Sequence, residues 1–255
     1  MSAALEFRDV TVATASGRRL LESVSLEVEE GTRTAILGRS GSGKTTLLRT
    51  ANRMIEPNRG EVFVAGIEQD SEIVTLRRKM GYVIQETGLF PHFTVERNIG
   101  IVLEAQGIGR PQRVARSNEL LQMVGLDPAS FSQRYPFQLS GGQRQRVGLA
   151  RALAAEPKIL LMDEPFGALD PLTRAEMQDM LLELLQHLKT TVLIVTHDLD
   201  EALYLADRIV LLGEGKIVAN LAQGEFLKSE EPEIRAYVRA FRRGQADAAA
   251  KAGPA

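Results

Sequence analysis

No cysteine occurs in this chain of 255 residues, and histidine occurs only three times. Without a thiol there is no disulfide, no thiol nucleophile and no Cys-based metal site. Three histidines leave little material for a His-rich zinc site. No apolar run approaches the ~20 residues that a bilayer-spanning helix needs, so attachment to a membrane would have to come through a partner. The start, Met1-Ser2-Ala3-Ala4-Leu5-Glu6, lacks the basic and apolar segments of a signal peptide, which points to a cytosolic protein. A net charge of −2 gives no electrostatic reason to expect nucleic acid as a partner. What is present is an ordinary globular balance, 25% charged and 44% hydrophobic, with length enough for a buried core.

Residues 5–12 and 24–28 roughly alternate apolar and polar side chains, as half-buried strands of an antiparallel sheet do. Pro57-Asn58-Arg59-Gly60 is a turn leading into a strand at Glu61–Ala65, and a further strand at Met80–Ile84 ends at Gln85. From about 88 to 155 the pattern is helical, punctuated by Pro91, Pro111, Pro128 and Pro136. Strands return at Ile159–Met162 and Thr191–Thr196, separated by an amphipathic helix near 172–189. The alternation predicts a parallel α/β core carrying a helical insertion. Ile209–Leu212 and Lys216–Ala219 can close as a hairpin around Gly213 and Gly215. Ile234, Tyr237, Val238 and Phe241 fall at helical spacing, which predicts a docked helix over 232–243. The Gly/Ala-rich residues 244–255 read as a disordered tail.

Three stretches carry chemistry. The first is Gly38-Arg39-Ser40-Gly41-Ser42-Gly43-Lys44-Thr45, between the apolar run Thr34–Leu37 and a helix opened by Thr46-Leu47-Leu48. Strand, glycine-rich turn and helix start make a phosphate cradle, because backbone N–H groups approach phosphate oxygens where a Cβ would clash. Lys44 can reach the β- and γ-phosphates, and the Thr45 hydroxyl can ligate Mg²⁺; the helix N-terminus adds partial positive charge. The second is the strand end Asp163-Glu164. There Asp163 is suited to hold Mg²⁺, and Glu164, turned the other way by strand alternation, can orient or deprotonate a water. The third is Leu139-Ser140-Gly141-Gly142-Gln143, where Ser140 is a good N-cap and the helix it opens presents a second anion-binding N-terminus.

Leu139–Gln143, followed by Arg144-Gln145-Arg146 and lying just upstream of Asp163-Glu164, resembles the ATP-binding-cassette signature. With the phosphate loop, it makes residues 4–226 similar to an ABC-transporter ATPase subunit. The resemblance implies a P-loop NTPase (RecA-like) core with a parallel sheet, an antiparallel β subdomain and an inserted α-helical subdomain, in one domain over residues 1–243. It implies ATP and Mg²⁺ as ligands, with Gly38–Thr45 and Thr46 on the nucleotide and Thr45, Gln85 and Asp163 around the metal. Glu164 matches the catalytic glutamate and Lys44 the phosphate-loop lysine. Gln85 matches the Q-loop glutamine, and His197, in Val195-Thr196-His197-Asp198, matches the switch histidine. Asp170, in Ala168-Leu169-Asp170, matches the D-loop at a dimer interface. His92 and His187 have no such place and read as structural.

In this family the signature faces the phosphate loop of a second subunit, so Ser140 and Gly142 would serve in trans and an isolated monomer would be nearly inactive. One departure concerns adenine: where the family often offers an aromatic ring, Val10-Thr11-Val12-Ala13-Thr14-Ala15 has none, and Thr14 stands near the expected place. Phe7 is too early and is expected in the core; Arg18 or Arg19 could substitute in part.

Gly81–Val95, with Leu89, Phe90 and Phe93, matches the groove for a permease coupling helix. Together with Tyr135-Pro136-Phe137-Gln138 and Glu164–Pro171 it looks importer-type. The nearest resemblance is to quaternary-amine (glycine betaine, choline, carnitine) osmoprotectant uptake ATPases. That implies integral membrane permease subunits, a second ATPase subunit, an extracytoplasmic solute-binding protein, and a place at the cytoplasmic face of the membrane. Many members of that branch carry C-terminal regulatory CBS domains, and the resemblance here does not reach them. The alternatives are an importer for another small solute, or a soluble ABC ATPase of DNA repair or translation. The latter usually carries two cassettes or a long coiled-coil insertion, neither of which is visible here.

Overall fold

A computed structural model describes residues 3–65, 67–68, 73–85 and 87–252. Its strands are β1 (Ala3–Ala13), β2 (Arg19–Glu29), β3 (Arg33–Leu37), β4 (Arg59–Val64), β5 (Ile67–Glu68), β6 (Met80–Val83), β7 (Ile159–Asp163), β8 (Thr191–Thr196), β9 (Arg208–Gly213) and β10 (Lys216–Ala222). The helices are α1 (Lys44–Ala51), α2 (Ile73–Arg78), α3 (Val95–Ala105), α4 (Arg110–Met123), α5 (Pro128–Phe131), α6 (Gly141–Leu153), α7 (Pro171–His187), α8 (Leu199–Leu205), α9 (Gln223–Phe226) and α10 (Pro232–Ala252).

Two sheets result. The smaller is antiparallel in the order β2-β1-β4-β5; the larger runs β10-β9-β3-β8-β7-β6. In the larger sheet β9, β3, β8, β7 and β6 are parallel, and β10 closes it as the antiparallel arm of a hairpin, Lys216 opposite Gly213. The apolar runs explain this placement. Every residue of β7 and β8 is buried, as expected of a parallel sheet covered on both faces. By contrast β1 and β2 alternate in burial, as half-buried antiparallel strands do. On one face of the parallel sheet, Leu161, Leu193, Val195 and Ile36 pack with Phe7, Val10 and Val62 of the small sheet and Leu47 and Leu48 of α1. On the other, Leu160, Met162, Val192 and Ile194 pack with Leu149 and Leu153 of α6 and Met177 and Leu181 of α7. Phe7 is thus a core residue, 1% exposed.

The helical insertion lies between β6 and β7 and comprises α3 to α6. Register then brings the working ends of the parallel strands level: Leu37 pairs with Thr196, Asp163 with Val195 and Val83 with Met162. The carboxyl ends of β3, β8, β7 and β6 therefore share one edge, the place where open α/β sheets bind ligands.

The last helix differs from the sequence expectation. Instead of ending near Arg243 and giving way to a disordered tail, α10 continues to Ala252. The alanines that suggested low complexity are the strongest helix formers, so the segment extends a helix already seeded by its docked turns. Residues 253–255 lie outside the described residues. The docked part is as expected: Ile234 is buried and Tyr237, Val238 and Phe241 pack against Leu199, Ala202 and Phe226.

Candidate functional site

The loop after β3 is closed to side chains at two points. A Cβ on Gly38 would stand 2.3 Å from the Leu212 carbonyl oxygen, and one on Gly43 2.5 Å from that of Leu20, with Gly43 at φ +103°. Both close approaches, and the left-handed backbone of Gly43, admit only glycine. Lys44, 5% exposed, folds over the loop and donates from Nζ to the carbonyls of Gly38 at 3.0 Å and Arg39 at 3.1 Å. Burial pulls its ammonium below the ordinary lysine range, and the charges of Glu164 and Asp163 oppose that pull. The Ser42 hydroxyl is buried and without a hydrogen-bond partner. A buried cation on two carbonyls, an unsatisfied hydroxyl and a cradle that excludes Cβ atoms fit a polyanion.

Asp163, 3% exposed, ends β7 beneath this loop. Its Oδ1 accepts from Thr45 Oγ1 at 2.8 Å, and its Oδ2 accepts from the Tyr82 hydroxyl at 3.3 Å, with Arg49 4.0 Å away. Burial raises the Tyr82 pKa, which keeps that hydroxyl a donor. Hydroxyl and carboxylate oxygens are the hard donors that Mg²⁺ takes. Among the described residues no cluster of three or more His, Cys, Asp or Glu forms a metal site. One or two protein oxygens together with phosphate is the usual magnesium arrangement, and the residues present fit it.

Glu164 is the meeting point. Its Oε2 lies 3.4 Å from Gln85 Nε2, which donates to it, and 3.3 Å from His197 Nδ1. The reason given by strand alternation is superseded: β7 ends at Asp163, and Glu164 adopts φ +43°, donating its own N–H to the Val195 carbonyl at 2.9 Å. A left-handed residue directly after the strand, rather than the pleat, aims this carboxylate. Such strain in a non-glycine residue costs about 1–3 kcal/mol and is kept where neighbours enforce it. His197 follows the end of β8 with 60% of its side chain exposed.

The stretch Leu139–Gln143 stands apart. Ser140 caps α6 in a reciprocal box: Gln143 N–H donates to Ser140 Oγ at 3.2 Å, and Ser140 N–H to Gln143 Oε1 at 2.9 Å. Arg144 donates to the Leu139 carbonyl, fixing the entry to the helix. Gly142 is pressed against α7, where a Cβ would meet Thr173 Cγ2 at 2.5 Å. Asp170 caps α7 through Thr173 N–H at 3.0 Å, and these bonds hold its carboxyl below the usual range. Among the described residues, no hydrogen bond or ion pair joins 139–143 or Asp170 to the 38–45 loop. One chain therefore brings together Lys44, Thr45, Asp163, Glu164, Gln85 and His197, and leaves Ser140 and Gly141 on its surface.

A family model described as "ABC transporter" matches residues 21–167, more than half of the chain. The chain belongs to the ABC transporter family. This cassette is 45% identical over 233 residues to the glycine betaine/carnitine/choline transport ATP-binding protein OpuCA of Bacillus subtilis, covering 90% of this chain and 60% of that protein. It is 47% identical over 217 residues to the osmoprotectant import ATP-binding protein OsmV of Salmonella typhimurium (85% and 57%). Against the glycine betaine uptake system ATP-binding protein YehX of Escherichia coli it is 45% identical over 225 residues (88% and 72%). The chain thus spans about three fifths of the length of the first relatives. Its fold superposes with a TM-score of 0.78 and 35% identity on a bacterial ABC transporter cassette solved as a dimer, covering 86% of this chain and 98% of that one.

Sequence reasoning missed several residues of the cassette site. Tyr82 and Arg49 on Asp163, Arg174 at 3.6 Å from Asp198, and Tyr237 near the switch turn carry no motif. Only the strand-end position of Tyr82, three residues before Gln85, could have drawn attention to any of them. At the place where an adenine ring was expected to stack, Thr14 sits in a polar turn with Ser16 and Arg18. Of the groove residues, Phe90 is exposed, Leu89 and Phe93 are half-buried, and Glu86 lies outside the described residues.

Proposed function

We propose that this chain is the ATP-hydrolysing subunit of a membrane importer, taking quaternary-amine osmoprotectants of the glycine betaine, choline and carnitine class. A single observation carries the enzymatic part. Glu164 Oε2 is shared by Gln85 and His197 on the same sheet edge that holds Lys44 and the Thr45–Asp163 pair. The loop amides of Gly38–Thr46 and Lys44 hold the triphosphate. Thr45 and Asp163 would hold Mg²⁺, with Gln85 beside them, and the ion, when bound, neutralises phosphate charge. Gln85 and His197 keep the Glu164 carboxylate aimed, so that it accepts a proton from water as the new bond to the γ-phosphorus forms and the bond to the ADP oxygen breaks. His197 donates to the γ-phosphate oxygens.

The surface position of Ser140 and Gly141 supports the rest of the reading. ATP held on one subunit still offers γ-phosphate oxygens, and the capped N-terminus of α6 on a second copy supplies donors to them. ATP then joins two cassettes, with Asp170 at their interface, and hydrolysis separates them. The pair sits on the cytoplasmic face of the membrane beneath two permease subunits, fed by an extracytoplasmic solute-binding protein. Phe90, 42% exposed, and the stacked pair Tyr135 and Phe137, the latter 76% exposed, suit a permease contact. Isolating the complex and measuring its ATPase activity against a panel of solutes tests the proposal. Stimulation by glycine betaine, choline or carnitine, with a permease co-purifying, is the expected result. Co-purification of ribosomes or nucleic acid without a permease would overturn it.

A further inference from the structure

The switch turn between β8 and α8 is held from an unexpected direction. The hydroxyl of Tyr237, on α10, donates to the main-chain carbonyl of His197 at 3.0 Å, across 40 residues of sequence. The imidazole itself has little packing: 60% of the side chain is exposed, and its polar contact is the 3.3 Å approach of Nδ1 to Glu164. The position of that ring therefore depends on how its peptide is fixed. On the strand side, Thr196 is buried in β8 and its Oγ1 accepts from Asp198 N–H at 3.0 Å. On the helix side, Asp198 Oδ1 caps α8 by accepting from the N–H groups of Asp200 and Glu201. Between these two anchors stands the His197 carbonyl, and the Tyr237 hydroxyl takes it.

Tyr237 is itself firmly placed. Ile234, one turn earlier, is 1% exposed, and both pack into the cluster of Leu199, Ala202 and Phe226 beneath α8. Burial, reinforced by the charge of Asp198, pushes the phenol pKa up to about 12, so the hydroxyl remains a donor throughout the working pH range. Tyr237 also lines a cleft of about 420 Å³ together with Arg39, Ser40 and Gly41 of the phosphate loop.

We infer that Tyr237 is a positioning residue: its hydrogen bond to the His197 carbonyl sets the switch imidazole against Glu164, and through it α10 controls the hydrolytic step. A shift of α10 that breaks this bond frees the His197 peptide to rotate and takes Nδ1 away from the carboxylate. Nucleotide affinity should hardly change, because the groups that hold phosphate, the amides of the β3–α1 loop and Lys44 at the start of α1, take no hydrogen bond from Tyr237 among the described residues. The inference rests on the reading of Glu164 and His197 as the hydrolytic pair, but its structural half can be tested without hydrolysis.

The test uses the full chain with Tyr237→Phe, which keeps the ring packed and removes only the hydroxyl. The chain has three histidines, so ¹⁵N-histidine labelling resolves each ring. The variant should move the His197 ring resonances while leaving His92 and His187 in place. In the assembled transporter it should lower kcat about tenfold with KM for ATP within about twofold, as a misplaced catalytic group does. Adding Tyr237→Phe to a His197→Ala protein should leave its residual rate unchanged. Unmoved His197 signals overturn the inference, as does a KM increase with kcat intact or a full additive loss in the His197→Ala background. Shifted His197 signals in a chain without ATPase activity would instead count against the hydrolytic reading and leave the Tyr237 link standing.

Discussion

The Thr45 hydroxyl donates to Asp163 Oδ1 at 2.8 Å, tying the start of α1 to a strand end 118 residues later. This bond ties the phosphate loop to the strand end, and its two oxygens belong to the residues proposed to hold Mg²⁺. Asp163→Asn retains size and a hydrogen-bonding oxygen but loses the charge, so binding of ATP should lose most of its dependence on Mg²⁺. Titration with a fluorescent ATP analogue, with and without EDTA, should show the variant binding about equally weakly in both, at least tenfold below wild type with Mg²⁺. Unchanged magnesium-dependent binding would remove Asp163 from the metal site.

Two glycines of the loop should respond differently to the same substitution. Gly41 has φ +79° but open space around its Cβ position, whereas Gly43 has φ +103° and a carbonyl oxygen 2.5 Å away. Gly41→Ala should cost only the left-handed backbone penalty, about 1–2 kcal/mol. Gly43→Ala adds a backbone clash and should cost about 3 kcal/mol or more, with loss of nucleotide binding. Urea unfolding of the two variants checks the order.

Glu201, 6% exposed in the first turn of α8, is the buried acid that the proposed hydrolysis does not use. Burial first, then the charge of Asp198, raises its pKa from 4.5 to about 8, and its Oε1 has no hydrogen-bond partner. The folded state therefore binds this proton more tightly than the unfolded chain between those values. Stability from this group is fully present below about pH 4.5 and is lost as pH rises toward 8. Glu201→Gln should match wild type near pH 4 and exceed it by roughly 2–4 kcal/mol near pH 8. Denaturant melts at the two pH values decide it; an equal gap at both would mean that Glu201 is charged throughout.

How far the sequence reached follows from the range of each signal. Gly38–Thr45, Ser140–Gln143 and the Asp163 strand end are local patterns whose backbone requirements are met within a few residues, and each forms as read. The parallel core was legible because β3, β7 and β8 are continuous apolar runs. What depended on tertiary contact was not. The aim of Glu164 comes from a left-handed residue that no pattern marks. Tyr237 reads as one more apolar position of a docked helix, although its hydroxyl crosses to His197. Glu201 carries no mark in the sequence, and only its place in the fold reveals its burial. The tail to Ala252 was misjudged by its composition, since alanine favours helix once a turn precedes it.

Ser140 has a double duty that a substitution can separate. Ser140→Ala removes the capping box and should lower the stability of the isolated chain by about 1 kcal/mol. If the hydroxyl also reaches the nucleotide of a second copy, dimer formation driven by MgATP should weaken well beyond that, about tenfold or more. A dimerisation loss no larger than the cap accounts for would confine Ser140 to the helix end.

The central claim, that the Gly38–Thr45 loop is half of a site completed by Ser140–Gln143 of a second copy, is tested most directly with Glu164→Gln. That variant keeps every group that binds phosphate and loses the carboxylate that takes the proton from water. Size-exclusion chromatography with MgATP should show it as a stable dimer that returns to monomer when nucleotide is removed. A Glu164→Gln protein that binds MgATP and still elutes as a monomer would contradict the account.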